Sequence, residues 1–154
     1  MTKIQIPHDA IVFVGDGRKA LFLRNAGDEK FANFVTEQVF ADDNPATRDQ
    51  GADRPGRAFA AAQSVRRSAI EPTDWHDIEE HRFAERVSKA LERLTRERRA
   101  PALAIVAPPR TLADLRAALA ADVKEKVVIE INKDLTRMPV WEIEKHVVDA
   151  LASA

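Results

Sequence analysis

Ala102-Leu103-Ala104-Ile105-Val106-Ala107, closed at once by Pro108-Pro109-Arg110, is apolar at every position before it breaks. An apolar run without polar alternation reads as a strand buried on both faces, the habit of parallel pairing. The prolines end it, because they bring no N–H to a ladder. Beyond them Leu112, Leu115 and Leu119 recur at helical spacing, and Thr111 with Asp114 has the spacing of a capping box. Val127-Val128-Ile129-Glu130-Ile131 reads as the next strand. Pro139 then opens a last helix with Val140, Ile143, Val147 and Leu151 along one side. Strand–helix–strand order favours parallel pairing through crossover helices.

Upstream of the decisive strand, a helix starts at Thr73-Asp74, just after Pro72. Phe83, Val87, Ala90, Leu91 and Leu94 recur along it at helical spacing. Its other face is crowded with Arg, Lys and Glu, the pattern of a solvated surface. At the N-terminal end, Ala10-Ile11-Val12-Phe13-Val14 reads as a buried strand ending in the turn Gly15-Asp16-Gly17-Arg18. Ala20 to Arg24 is a second strand, Asn25-Ala26-Gly27-Asp28 a second turn, and Phe31 to Phe40 a third strand. Short turns imply an antiparallel meander. The predicted architecture is therefore α/β: a mixed five-stranded sheet, meander first and then αβαβα, flanked by helices. This is the element order of the ribonuclease-H-like folds.

Between the third strand and the first helix, about 41–72, neither period is present. Compact domains seldom keep so long a connection unless it is functional or disordered. Its middle is locally basic: from Arg48 to Arg67 there are five arginines, Arg48, Arg54, Arg57, Arg66 and Arg67, against Asp49 and Asp53, in a chain whose net charge is -1. A chain of 154 residues with 45% hydrophobic content reads as one domain with a real core, 1–154. The near-neutral total argues against a wholesale nucleic-acid coat and against DNA as partner, but leaves a local RNA contact open. The sequence has no cysteine, so disulfides, thiolate metal sites and a cysteine nucleophile are excluded. The N-terminus lacks the apolar run of a signal peptide, and no run approaches a bilayer span. A cytoplasmic protein is the expectation.

The catalytic readings are thin. A two-metal nuclease needs several converging carboxylates. Asp16, Glu79, Glu80 and Asp134 are candidates by position, but the strand ending at Ala107 is followed by Arg110 and not by an acid. His76 and His81 lie five residues apart, which on a helix is about 140° of divergence and the wrong spacing for a shared metal. Asp77 and His81 share a helix face, for which a surface hydrogen bond is the simple reading. His8 and His146 stand alone. Gly15-Asp16-Gly17 lacks the third glycine of a dinucleotide fingerprint. Neither a metal nor a cofactor is expected. Arg110 and Arg137 each follow the end of a sheet strand, where ligands collect in open α/β sheets, and are possible secondary contacts.

Five stretches together carry a resemblance. They are Asp16-Gly17-Arg18-Lys19-Ala20, Gly51-Ala52-Asp53-Arg54-Pro55-Gly56-Arg57, His76-Asp77-Ile78-Glu79-Glu80 with Arg82-Phe83-Ala84, Ala107-Pro108-Pro109-Arg110-Thr111-Leu112, and Lys133-Asp134-Leu135-Thr136. In order and spacing the chain resembles the bacterial host-attachment proteins, also described as proteins required for attachment to host cells. That family is in turn similar to the middle domain of archaeo-eukaryotic peptide-chain release factors. There a long loop carries Gly-Gly-Gln into the peptidyl-transferase centre, and the glutamine helps position a water against the peptidyl-tRNA ester. The comparable stretch here runs from Gly56 to Arg67 and contains Gln63, but Ala61 and Ala62 stand where the two glycines belong. Alanine reaches neither positive φ nor close backbone approach as cheaply as glycine.

The resemblance implies a release-factor-like scaffold that binds ribosome or RNA without catalysis. Its contacts would be Arg48, Arg54, Arg57, Arg66 and Arg67 on phosphates, Phe59 stacked on a base, and Gln63 beside them. Two alternatives stay open: an adhesion or protein-interaction module in bacterial attachment to host cells, and a weak peptidyl-tRNA hydrolase using Gln63. The absence of cysteines and of an export signal gives the first little physical support.

Overall fold

A computed structural model of the chain describes residues 5–41 and 72–153, with side chains of the first helix described from residue 77 onward. Five strands, β1 (Ile11–Gly15), β2 (Lys19–Asn25), β3 (Phe34–Ala41), β4 (Leu103–Ala107) and β5 (Val127–Asn132), form one sheet in the order β3-β2-β1-β4-β5. The helices are α1 (Pro72–Arg98), α2 (Pro109–Ala118), the single turn α3 (Ala121–Lys124) and α4 (Val140–Ser153). β1 pairs antiparallel with β2, and β2 with β3, as a meander requires. β4 lies parallel to β1 on one side and to β5 on the other. The mixed α/β sheet expected from the sequence is what the chain forms.

The unbroken apolar runs have their reason in two separate cores. Val12, Val14, Leu21, Leu23, Ala104 and Val106 point to one face, where Ile143, Val147 and Leu151 of α4 cover them. Ile11, Phe13, Phe22, Leu103 and Ile105 point to the other, beneath Phe83, Val87 and Leu91 of α1 and Leu112 and Leu115 of α2. Each strand keeps the two-residue alternation, but both destinations are apolar. Every residue of β1 and β4 is buried. β5 is an edge strand and is mostly only half-buried. Among the described residues, no helix is long and apolar enough to cross a membrane.

Two local expectations need correction. The third strand starts at Phe34 and not at Phe31. Asp28 Oδ1 accepts the amides of Lys30 (2.9 Å) and Phe31 (2.7 Å), so an Asp-centred turn holds this stretch and leaves Phe31 77% exposed. Thr111 and Asp114 do not form a capping box. Pro108 is the N-cap of α2, no side chain caps it, and Thr111 is buried within the first turn. Asp114 instead reaches across to α1.

Candidate functional site at the carboxyl end of the parallel strands

β1, β4 and β5 run in one direction, so their carboxyl ends lie along one rim of the sheet. The turn after β1 is held by its own aspartate. Asp16 Oδ1 accepts the amides of Arg18 (2.6 Å) and Lys19 (2.7 Å), and the Asp16 amide donates to the Lys19 carbonyl (2.9 Å). After β5, Asp134 acts similarly. Its Oδ1 accepts the Thr136 amide (3.1 Å) and the Thr136 hydroxyl (2.6 Å). That hydroxyl also lies 3.3 Å from Asp16 Oδ2. Thr136 has one proton to give, and the shorter bond takes it. The buried threonine thus sits between the β1 turn and the β5 exit.

α2 starts at the same rim. Arg110 Nη2 pairs with Asp77 of α1, and Arg110 Nε lies 3.7 Å from Glu80 Oε2. The hydrogen bond that Arg110 donates to Asp77 raises the guanidinium above its ordinary pKa. Glu80 also packs over Gly17, where a Cβ would meet its side-chain carbons at 2.7 Å. A groove of about 330 Å³ lies between these elements, lined by Asp16, Gly17, Arg18, Glu80, Pro108, Arg110 and Thr111.

The chain on each side of residues 42–71 touches the β1–β2 turn. β3 ends at Ala41, which pairs with Lys19 of the β1–β2 turn. α1 starts at Pro72 and, eight residues on, lays Glu80 against Gly17 of the same turn. The turn at Asp16–Lys19 is therefore the common anchor of the chain on either side of the basic segment. The sequence motifs Asp16-Gly17-Arg18-Lys19, Asp77 to Glu80, Pro108-Pro109-Arg110 and Asp134 to Thr136 meet here, although they are scattered over more than a hundred residues.

Of the sequence-derived site residues, Arg48, Arg54, Arg57, Phe59, Gln63, Arg66 and Arg67 lie outside the described residues. Arg110 is at the rim and ion-paired. Arg137 is exposed in the turn after β5 and does not line the groove. The carboxylates weighed for metal binding have local duties: Asp16 and Asp134 hold turns, and Glu80 faces Arg110. Among the described residues, no group of three or more His, Asp or Glu is placed to hold a metal ion. The expected Asp77–His81 pair is replaced by two tertiary pairs, Asp77 with Arg110 and His81 Nδ1 with Asp114 Oδ1 at 2.9 Å. Sequence reading missed Thr136 and Arg18 as rim residues. The Asp134-x-Thr136 spacing, an Asx-turn pattern, was the available signal for the first.

With this geometry in hand, the family model described as bacterial archaeo-eukaryotic release factor family 12 matches residues 9–147. No curated protein matches the chain.

Proposed function

The chain belongs to bacterial archaeo-eukaryotic release factor family 12, and from that premise we propose that it is a translation-related domain that binds ribosomal or transfer RNA without catalysing release. The observation that carries this reading is that the chain on both sides of residues 42–71 touches the Asp16–Lys19 turn, through Ala41 before it and Glu80 of α1 after it. Within residues 42–71 the stretch from Arg48 to Arg67 carries Arg48, Arg54, Arg57, Arg66 and Arg67 against Asp49 and Asp53, with Asp42, Asp43 and Glu71 outside that stretch. Guanidinium groups bind phosphate bidentately and supply affinity without sequence choice. Phe59 adds a base-stacking surface, and Gln63 lies beside the arginines in sequence. Arg110 and Arg137 are secondary contacts in this reading, with Arg137 the more available because Arg110 already has two acidic neighbours.

Co-sedimentation with ribosomes at low salt tests the proposal. The unmutated protein pellets with ribosomes, the pelleted fraction falls steeply as salt rises, and Arg54→Ala, Arg57→Ala, Arg66→Ala and Arg67→Ala together abolish it. A parent protein that stays in the supernatant at low salt refutes RNA binding. An ester-release assay on peptidyl-tRNA adds a second arm: turnover that disappears with Gln63→Gly would convert the reading to a hydrolase. Export of the protein to the cell surface, found by fractionation, would favour the attachment reading instead.

A further inference from the structure

α1 sorts its charges between two faces. Asp77 and Glu80 turn to Arg110, Glu92 Oε2 accepts the Ala120 amide at 2.6 Å, and His81 turns to Asp114, so these groups line the seam with α2 and α3. Arg82, Arg86, Lys89 and Arg93 stand four, three and four residues apart on the exposed side. At about 100° and 1.5 Å per residue they occupy roughly 60° of arc and about 16 Å of helix axis. Phe83, Val87 and Leu91 lie buried on the opposite side.

We propose that this outward stripe of α1 is a second phosphate-binding track for RNA, extending the contact made by the basic segment that precedes the helix. The proposal rests on the RNA-binding reading above. Its support is the alignment of four cations along one exposed helix face. Arg24, Arg96, Arg98, Arg110 and Arg116 are each held by a carboxylate. Arg82, Lys89 and Arg93 have no such partner among the described residues, although Glu79, Glu85 and Glu97 lie within one helical turn of them. Arg86, between them along the helix, lies over the Phe83 ring, 5.1 Å from its centroid. A cationic line releases counterions when it meets a phosphate backbone. A membrane surface fits it less well. Interfacial helices insert an apolar face, and the apolar face of α1 is already covered by the sheet.

The test is fluorescence anisotropy with a labelled single-stranded oligouridylate, read across a range of salt. The triple variant Arg82→Gln, Lys89→Gln, Arg93→Gln is compared with a charge-matched control, Lys124→Gln, Lys133→Gln, Lys145→Gln, taken from other exposed positions. The stripe variant should lower the slope of log Kobs against log salt by about 2, at about 0.7 per contact on a single strand. The control should leave the slope near the parent's. Arg82→Lys with Arg93→Lys should restore most of the slope, which separates charge from helix damage. If the stripe variant and the control behave alike, the track does not exist. If the variant with the four loop arginines replaced loses RNA while the stripe variant keeps it, the RNA reading survives and the track alone is refuted. A parent that does not bind the oligomer overturns both, and tighter binding to phosphatidylserine vesicles than to RNA assigns the stripe to lipid and overturns the track.

Discussion

Asn25 shows how one side chain can hold three segments. It is fully buried at the end of β2. Its Nδ2 faces the carbonyls of Ile6 (3.0 Å), Pro7 (3.2 Å) and Asp28 (3.3 Å), and its Oδ1 accepts the amides of Gly27 (2.9 Å) and Asn33 (3.0 Å). Removing it strands several buried backbone groups at once, each costing about 1–3 kcal/mol. Asn25→Ala should therefore lose at least ~2 kcal/mol in urea unfolding, and a loss under about 0.5 kcal/mol would show that water replaces the amide without cost. Gly27 beside it is required by close approach, since a Cβ there would sit 2.0 Å from the Phe31 carbonyl oxygen. The opposite case is Ser88, whose buried hydroxyl has no hydrogen-bond partner among the described residues. Ser88→Ala removes an unsatisfied group and should leave stability unchanged or raise it by about 1 kcal/mol. The sequence marked Asn25 only as a turn residue. Its other partners lie up to nineteen residues away, and no local pattern encodes them.

At the scale of elements, α1 is fastened to α2 and α3 by a polar seam above a shared apolar core. Arg110–Asp77, His81–Asp114, Glu92 on the Ala120 amide and Arg96–Asp122 follow one another along the helix. The strands and long helices were legible because burial imposes a period. β1 and β4 read as unbroken apolar runs for the same reason that two helical layers cover them. The seam was not legible. Spacing along α1 pointed to a pair between Asp77 and His81, but each has a partner on α2 that lies closer in space than its neighbour one turn away. The single turn α3 carried no period at all. The Arg96–Asp122 pair also predicts a pH effect. The hydrogen bond from Arg96 holds the Asp122 carboxyl below its ordinary value. A depressed folded pKa gives stability that is present above the unfolded value, about 3.9, and is lost as pH falls through the folded one. Arg96→Gln should therefore lose less stability than the parent between about pH 6 and about pH 3, and parallel acid limbs would show the pair idle. Both side chains are more than half exposed, so the difference should be small and should shrink in salt.

For the whole molecule, the question is whether the sheet and its helices hold themselves together or depend on what lies between β3 and α1. β3 is registered on β2 from Phe34 to Ala41, with Glu144 of α4 accepting the Phe34 amide at 2.8 Å. Glu37 of the same strand binds both Arg24 of β2 and Arg98 at the far end of α1. α1 is fixed independently by Phe83, Val87 and Leu91 on the sheet and by its seam with α2. Each stem is thus anchored by contacts that do not involve residues 42–71. Replacing those residues by about ten of Gly and Ser would still leave a reach of roughly 35 Å between Ala41 and Pro72. The shorter closed loop would cost about 1 kcal/mol less entropy in folding. The shortened chain should unfold in one cooperative transition, with a midpoint within a few degrees of the parent's or above it. It should also fail to pellet with ribosomes, because the arginines proposed to meet phosphate are gone. A broad, early transition would mean that the segment belongs to the core, and the reading of it as a presented arm would fall. A cooperative, stable variant that still pellets would keep the scaffold and move RNA binding elsewhere on the surface, with the exposed stripe of α1 the first place to look.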